Sequence, residues 1–89
     1  MDSPAHENIR KYRNMYDIVA AILGICSQGA SRTNIMYRSK LNTKGLNEYL
    51  ELLEQRGLIA PLGGKYQITE RGREYLRSYE SVVNTLGES

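Results

Sequence analysis

Residues 31–59 read SRTNIMYRSKLNTKGLNEYLELLEQRGLI, and this stretch decides the fold. It predicts two short helices joined by a tight turn and followed at once by a strand. Ser31 is placed to cap the first of these helices, and Asn42 or Thr43 to cap the second. A side-chain oxygen at such a position accepts a hydrogen bond from a free backbone N–H of the first turn. Gly57 supplies the left-handed residue that ends the second helix.

The apolar side chains of the second helix follow the i, i+3, i+4, i+7 spacing of an amphipathic helix. They are Leu46, Tyr49, Leu50 and Leu53. Ile35 and Met36 give the preceding helix an apolar side, and Leu41 is expected as a buried plug in the turn at residues 39–42. A helix, a short turn and a second helix make up the skeleton of a DNA-binding helix-turn-helix.

The composition bounds the class of protein. The 89 residues predict one domain, residues 1–89, and the 40% hydrophobic and 25% charged content is typical of a globular protein. The N-terminus is polar and the sequence has no apolar run long enough to span a bilayer, which predicts a cytoplasmic protein with no membrane partner. Lone Cys26 and lone His6 make neither a zinc site nor a catalytic pair. We therefore expect no cofactor, no small-molecule ligand and no enzymatic activity.

The formal net charge is only +2, but the charges are unevenly distributed. Residues 1–45 hold seven Arg or Lys against three acids, whereas residues 46–89 hold five against seven. The basic half contains the N-terminal arm and the start of the second helix of the predicted pair. A basic face of this kind is where a duplex would lie.

The rest of the chain completes a mainly α fold with a small β-hairpin, in the order α-α-α-β-β-α. Residues 1–9 are expected to form a flexible arm, and a helix should begin between residues 9 and 14 and run to about Ser27. Residues 58–62 and 65–68 read as two strands joined by Gly63-Gly64, a pair that tolerates positive φ. Thr69 then caps a last helix that covers residues 70–86.

Two segments carry a family resemblance. YLELLEQRGLI, then a glycine turn and KYQITERGREYL, resemble the winged helix-turn-helix domains common among archaeal transcriptional regulators. The motifs are Tyr49-Leu50 before Gly57-Leu58-Ile59, and the T-x-x-G of Thr69-Glu70-Arg71-Gly72; the resemblance covers roughly residues 12–80. The chain is similar to small archaeal winged-helix proteins that bind duplex DNA and dimerise through a C-terminal coiled coil. The resemblance implies a nucleoid-associated homodimer with double-stranded DNA as its partner.

The predicted geometry selects candidate DNA contacts. On the second helix of the pair these are Thr43, Lys44 and Asn47, with Lys44 suited to guanine or phosphate and Asn47 suited to adenine. Glu48 and Glu51 share this outward face, and Glu48 is suited to cytosine N4 although phosphates would repel it. Backbone contacts are expected from the preceding helix, from the turn, and from the wing, which is the β-hairpin of residues 58–68. These contacts are expected at Arg32, Asn34, Arg38, Lys40 and Lys65. An ordinary solvated surface is the alternative for each of them. For the seven tyrosines we expect core packing with the hydroxyl at the surface.

The last helix predicts an interface between two copies. Its residues Leu76, Tyr79, Val83 and Leu86 are spaced 3, 4 and 3 apart, as in a short a/d seam. The leading hypothesis is therefore a homodimeric transcriptional regulator that inserts residues 43–55 into the major groove. Two alternatives stay open: a chromatin-organising protein with little base preference, and a winged-helix module that docks onto another protein.

Overall fold

The computed structural model describes residues 14–87 and confirms the predicted order of elements. The helices are α1 (Met15–Ile25), α2 (Arg32–Ser39), α3 (Thr43–Gln55) and α4 (Glu70–Gly87); the strands are β1 (Ile59–Leu62) and β2 (Lys65–Ile68). A short 3-10 turn, Cys26–Gln28, follows α1. The predicted arm at residues 1–9 lies outside the described residues, as do residues 10–13 of the range in which the first helix was expected to begin.

One apolar core lies beneath the helices and the hairpin. Its most deeply buried members are Ile22, Leu23, Cys26, Ile35, Leu46 and Leu53, which come from α1, the 3-10 turn, α2 and α3. Ile59 and Ile68 face each other across β1 and β2 and close the core from the hairpin side. Leu46, Leu50 and Leu53 are buried and Tyr49 is half-buried, so the predicted apolar stripe of α3 is confirmed.

Side-chain caps begin the first three described helices. Asn14 Oδ1 accepts from the N–H of Asp17 at 2.9 Å, Ser31 Oγ from Asn34 at 3.1 Å, and Asn42 Oδ1 from Gly45 at 2.7 Å. Each cap satisfies a backbone donor that the helix itself leaves unpaired. The predicted cap at Ser31 is confirmed, and Asn42 rather than Thr43 caps α3.

The hairpin has the predicted two-residue turn. Gly63 and Gly64 have φ values of 59° and 80°, the left-handed pair that matches the twist of an antiparallel hairpin. On its other side β2 pairs with Ala30, whose N–H and carbonyl bond the carbonyl and N–H of Tyr66. Pro61 stands opposite Tyr66 on the edge strand β1. Because Tyr66 bonds to Ala30, proline's missing donor at this position costs the sheet no hydrogen bond.

The end of α3 is tied to the start of α4. Gly57, at φ 74°, donates to the carbonyl of Glu54 while Leu58 donates to Leu53, which is the double hydrogen bond of a Schellman ending. The Thr69 hydroxyl donates to the Gly57 carbonyl at 2.6 Å and accepts from the N–H of Gly72 at 3.0 Å. One side chain therefore caps α4 and anchors it to the end of α3.

Several local expectations need correction. Leu41 is half-buried, because the turn that carries it lies at the surface, although its side chain does contact the core. The first helix ends at Ile25, and the residues up to Gln28 form the 3-10 turn. Core packing is wrong for Tyr16 and Tyr37, which are 61% and 83% exposed. It holds in part for Tyr49, Tyr66, Tyr75 and Tyr79, which are half-buried; Tyr12 lies outside the described residues.

Two tyrosines join α4 to α1. The Tyr75 hydroxyl donates to the Tyr16 carbonyl at 3.1 Å, and the Tyr79 hydroxyl donates to Asp17 Oδ1 at 2.5 Å. The hydrogen bond to Asp17, with some burial, raises the pKa of Tyr79 to about 12. These contacts hold the first half of α4 against α1. Within residues 14–87, none of the helices combines the length and the apolar character needed to cross a membrane.

Candidate nucleic-acid interface

The outward face of α3 is exposed to solvent. Thr43, Lys44, Asn47, Glu48 and Glu51 are all exposed, as the apolar stripe predicts. The 13 residues of α3 give it a length of about 20 Å, so it can cross a major groove about 12 Å wide. The helix therefore presents one polar face of the right dimensions for a groove.

The N-terminus of α3 is the basic end of that face. Lys44 lies in the first turn, where the free backbone N–H groups and the helix dipole also favour an anion. The Thr43 hydroxyl contacts Met36 Sδ at 3.6 Å, so this side chain is partly engaged with α2. Acidic side chains begin one turn later, at Glu48. The positive charge therefore concentrates where α3 begins.

The turn before α3 adds a cation in an unusual backbone conformation. Lys40 has φ 62° and ψ 29°, in the left-handed region that side chains other than glycine rarely adopt. It is exposed, as are Arg38 and Asn34 on α2. An exposed lysine therefore occupies a backbone position that suits glycine, three residues before α3 begins.

The first residue of α2 touches α3 directly. The Arg32 guanidinium donates from Nη2 to Oδ1 of Asn47, fifteen positions along the chain. Arg32 is half-buried and Asn47 is exposed. Two residues that the sequence places in separate helices, with separate expected roles, are thus brought together.

The remaining candidate lies on the wing. Lys65 is exposed and pairs across the hairpin with Leu62, next to the glycine turn. Tyr66, the next residue, is half-buried and contacts the core, as its position on the strand predicted. Lys65 is therefore the cation nearest to the tip of a short wing.

Tyr37 is a surface residue that the sequence analysis missed. It projects from α2 beside Arg38 and is 83% exposed, and a phenol hydroxyl can donate to a phosphate oxygen. The signal for its exposure was present in the helical period. Ile35 and Ser39 are buried and Met36 is half-buried, which leaves Tyr37 on the opposite side of α2.

Cys26 is a fully buried residue of the core. Burial raises the pKa of the Cys26 thiol to about 11, which keeps it protonated and unreactive near neutral pH. Across residues 14–87, no three of the His, Cys, Asp and Glu side chains are grouped so that they could hold a metal ion.

The comparison with known families agrees with this architecture. A family profile described as winged helix-turn-helix matches residues 12–86, nearly all of the chain. The chain belongs to the winged helix-turn-helix family. This confirms the fold class and the resemblance read from the Tyr-Leu, Gly-Leu-Ile and T-x-x-G motifs.

One sequence relative and two solved structures are similar to this chain. The uncharacterized protein MJ0287 of Methanocaldococcus jannaschii is 30% identical over 77 residues, which are 84% of this chain and 79% of that protein. Sso10a-2, a DNA-binding protein from Sulfolobus solfataricus, superposes with a TM-score of 0.73 at 24% identity, over 85% of this chain and 84% of that one. A MarR family protein of Mycobacterium tuberculosis gives a TM-score of 0.64 at 22% identity, over 90% of this winged-helix chain and 61% of that chain.

Proposed function

We propose that this winged-helix chain is a duplex DNA-binding protein that acts as a transcriptional regulator and inserts α3 into the major groove. The observation that carries the proposal is the free polar face of α3, with exposed cations at its N-terminus and on the segment before it. The fold it shares with a named DNA-binding protein and with a MarR family protein supports the same reading. The proposed function does not include enzymatic activity.

Each exposed group has a role that follows from its position. Lys44 and Asn47 lie on the part of α3 that enters a groove first, so they contact base edges or the nearest phosphates. Arg38, Lys40 and Asn34 flank that entry point and bind the phosphate backbone, with Lys65 doing so from the wing. Tyr37 adds a neutral donor to the same backbone contact.

The second half of α4 supplies the surface for a second copy of the chain. Of the predicted seam, Leu76 contacts the core and Tyr79 is bonded to Asp17, so both are largely used within one chain. Val83 and Leu86 are 44% and 74% exposed, and Val82 beside them is 56% exposed. The proposed dimer contact therefore lies nearer to the end of α4 than the evenly spaced seam suggested.

A groove continues this apolar surface toward α1. Its volume is about 420 Å³, and it is lined by Tyr16, Tyr75, Tyr79, Val82 and Val83 among others. A partner helix packed on Val83 and Leu86 would also reach this groove. A symmetric dimer formed in this way places two copies of α3 to read half-sites about one helical turn apart or a multiple of that.

One observation favours a second function, docking onto another protein. Glu48, Glu51 and Glu54 are all exposed along the later half of α3, and carboxylates suit a basic protein surface better than a phosphate backbone. DNA binding requires a basic start of α3, whereas docking onto a basic protein surface does not. The start of α3 is basic.

Neutralising the start of α3 tests the DNA proposal. Lys44→Ala/Asn47→Ala is expected to weaken duplex binding about 10- to 100-fold, because it removes one cation and one base-reading amide per chain. Arg56→Ala/Gln55→Ala is the matched control, since it removes one cation and one amide at the opposite end of the same helix. Fluorescence anisotropy with a labelled duplex measures both. Equal weakening by the two pairs would contradict the orientation of α3, and a folded native chain with no affinity at low salt would favour protein docking.

A further inference from the structure

We infer that Arg32 and Asn47 form one base-reading unit, in which Arg32 fixes the Asn47 amide and the pair selects guanine over adenine. The inference rests on the proposed function, since it names the base that the proposed interface reads. It also changes two expectations from the sequence, which gave Arg32 a phosphate and Asn47 an adenine.

The contact between the two residues is held by rigid elements. Arg32 is the first residue of α2 and Asn47 lies in the second turn of α3. Ile35 and Leu46, which stand close to them on the same helices, are fully buried in the core. The relative position of the two polar side chains is therefore set by the packing of α2 against α3.

The hydrogen bond fixes which way the Asn47 amide faces. A guanidinium carries five N–H donors and no acceptor, so the group of Asn47 that meets Arg32 must be the carbonyl oxygen. The amide nitrogen of Asn47, on the other branch, is left to face a ligand. An asparagine that reads adenine needs its oxygen to accept from N6 while its nitrogen donates to N7. In this chain the oxygen already accepts from a cation.

The remaining hydrogen-bonding groups of the pair are nearly all donors. Arg32 has N–H groups to spare, and Asn47 keeps both N–H groups of its amide. Guanine presents two acceptors, O6 and N7, to the major groove, whereas adenine presents N7 beside a donor, its N6 amino group. The N6 amino group and the guanidinium are both hydrogen-bond donors, so they would repel each other. The pair therefore matches guanine and opposes adenine.

No carboxylate of the described residues forms an ion pair with Arg32. Among residues 14–87 the one ion pair within 4 Å joins Arg77 to Glu70, two exposed side chains on α4. Glu48 follows Asn47 directly but makes no such pair with Arg32. The positive charge of Arg32 is therefore not neutralised by a carboxylate and can attract a base acceptor beside Asn47.

Selection of binding sites from random duplexes tests the unit. The native chain is expected to select guanine at one position, and Asn47→Ala should lose the preference there. Arg32→Ala should shift that same position to adenine and weaken binding to the original guanine site about 10-fold or more, because the freed Asn47 oxygen can then accept from N6. Arg38→Ala is the control that removes one exposed cation from the same helix. It should weaken all sequences alike and leave the selected base unchanged.

A measurement without DNA checks the geometry on which the inference depends. In the nuclear magnetic resonance spectrum of the free chain, the side-chain amide signals of Asn47 should move in Arg32→Ala and stay in place in Arg38→Ala. Unmoved signals would overturn the inference. So would native selection of adenine at the Asn47-dependent position, binding with no base preference, or an Arg32→Ala variant whose preference is unchanged. Each of these outcomes is compatible with duplex binding, whereas a native chain that binds no duplex defeats the proposed function itself.

Discussion

Gly72→Ala is expected to lower the free energy of unfolding by about 3 kcal/mol, because the alanine methyl group would clash with neighbouring atoms. A Cβ at this position would lie 2.3 Å from the carbonyl oxygen of Leu58 and 2.7 Å from Cγ1 of Ile68. Real Cβ atoms essentially never approach other atoms so closely, so either the backbone of residue 58 or α4 must move.

The backbone of Leu58 is poorly able to move. Its carbonyl accepts from the N–H of Thr69 at 3.0 Å, and its own N–H donates to Leu53 at 2.9 Å in the ending of α3. Moving either group strains the Schellman ending, and moving α4 strains the bonds of the Thr69 hydroxyl. The glycine of the T-x-x-G motif is thus explained by the close approach of the start of α4 to the Leu58 carbonyl, just after α3.

Thermal unfolding followed by circular dichroism measures the effect. At about 4–8 °C per kcal/mol for a domain of this size, the midpoint should fall by roughly 10–25 °C. Gly24→Ala is the matched control, because a Cβ there has no atom within 4 Å and lies inside α1. It should stabilise the chain by about 0.5–1 kcal/mol. A Gly72→Ala variant as stable as the native chain would show that α4 does not approach the Leu58 carbonyl this closely.

Val83→Glu/Leu86→Glu is expected to separate the proposed dimer and to weaken DNA binding about 100-fold or more. Two carboxylates per chain would face their copies across a contact that excludes water, where like charges are strongly unfavourable. DNA affinity falls because the second half-site is no longer engaged within the same molecule, which forfeits the gain from linked binding. Sedimentation equilibrium should report the mass of one chain for this variant and twice that mass for the native protein.

Ser81→Glu/Asn84→Glu provides the control for this variant. Both residues are exposed on α4, and the helical period puts them on the side away from Val83 and Leu86. They add the same charge to the same helix and should leave both mass and affinity nearly unchanged. A native chain that sediments as one chain, or a dimer that survives Val83→Glu/Leu86→Glu, would contradict the proposed contact.

The local features of the fold were predictable because their causes are local. Ser31 and Asn42 cap helices through hydrogen bonds to residues three positions away, and Gly63 and Gly64 specify their turn without help from the rest of the chain. The apolar period of α3 fixes which of its faces is free. For these reasons the order of elements and the exposed positions of α3 were predicted correctly.

The features that the sequence left open depend on contacts between distant residues. The bond from Tyr79 to Asp17 spans 62 positions, and it determines how much of the last helix is free to meet a partner. The contact between Arg32 and Asn47 likewise requires the packing of α2 against α3. No spacing rule within a single helix reveals such pairs, so the roles of Tyr79, Arg32 and Asn47 were assigned as if each acted alone.

The salt dependence of duplex binding tests the central claim most directly. We would measure the affinity of the native chain and of Arg38→Gln/Lys40→Gly at several salt concentrations; glycine suits the left-handed backbone at position 40. Each substitution should remove one phosphate contact in each of two chains. The slope of log affinity against log salt concentration should then become shallower by roughly 3–4, at about 0.9 per phosphate contact. The expected result is a steep native slope that becomes shallower by this amount in the variant. A shallow native slope, or the same slope in both proteins, would contradict the claim that this face binds the DNA backbone.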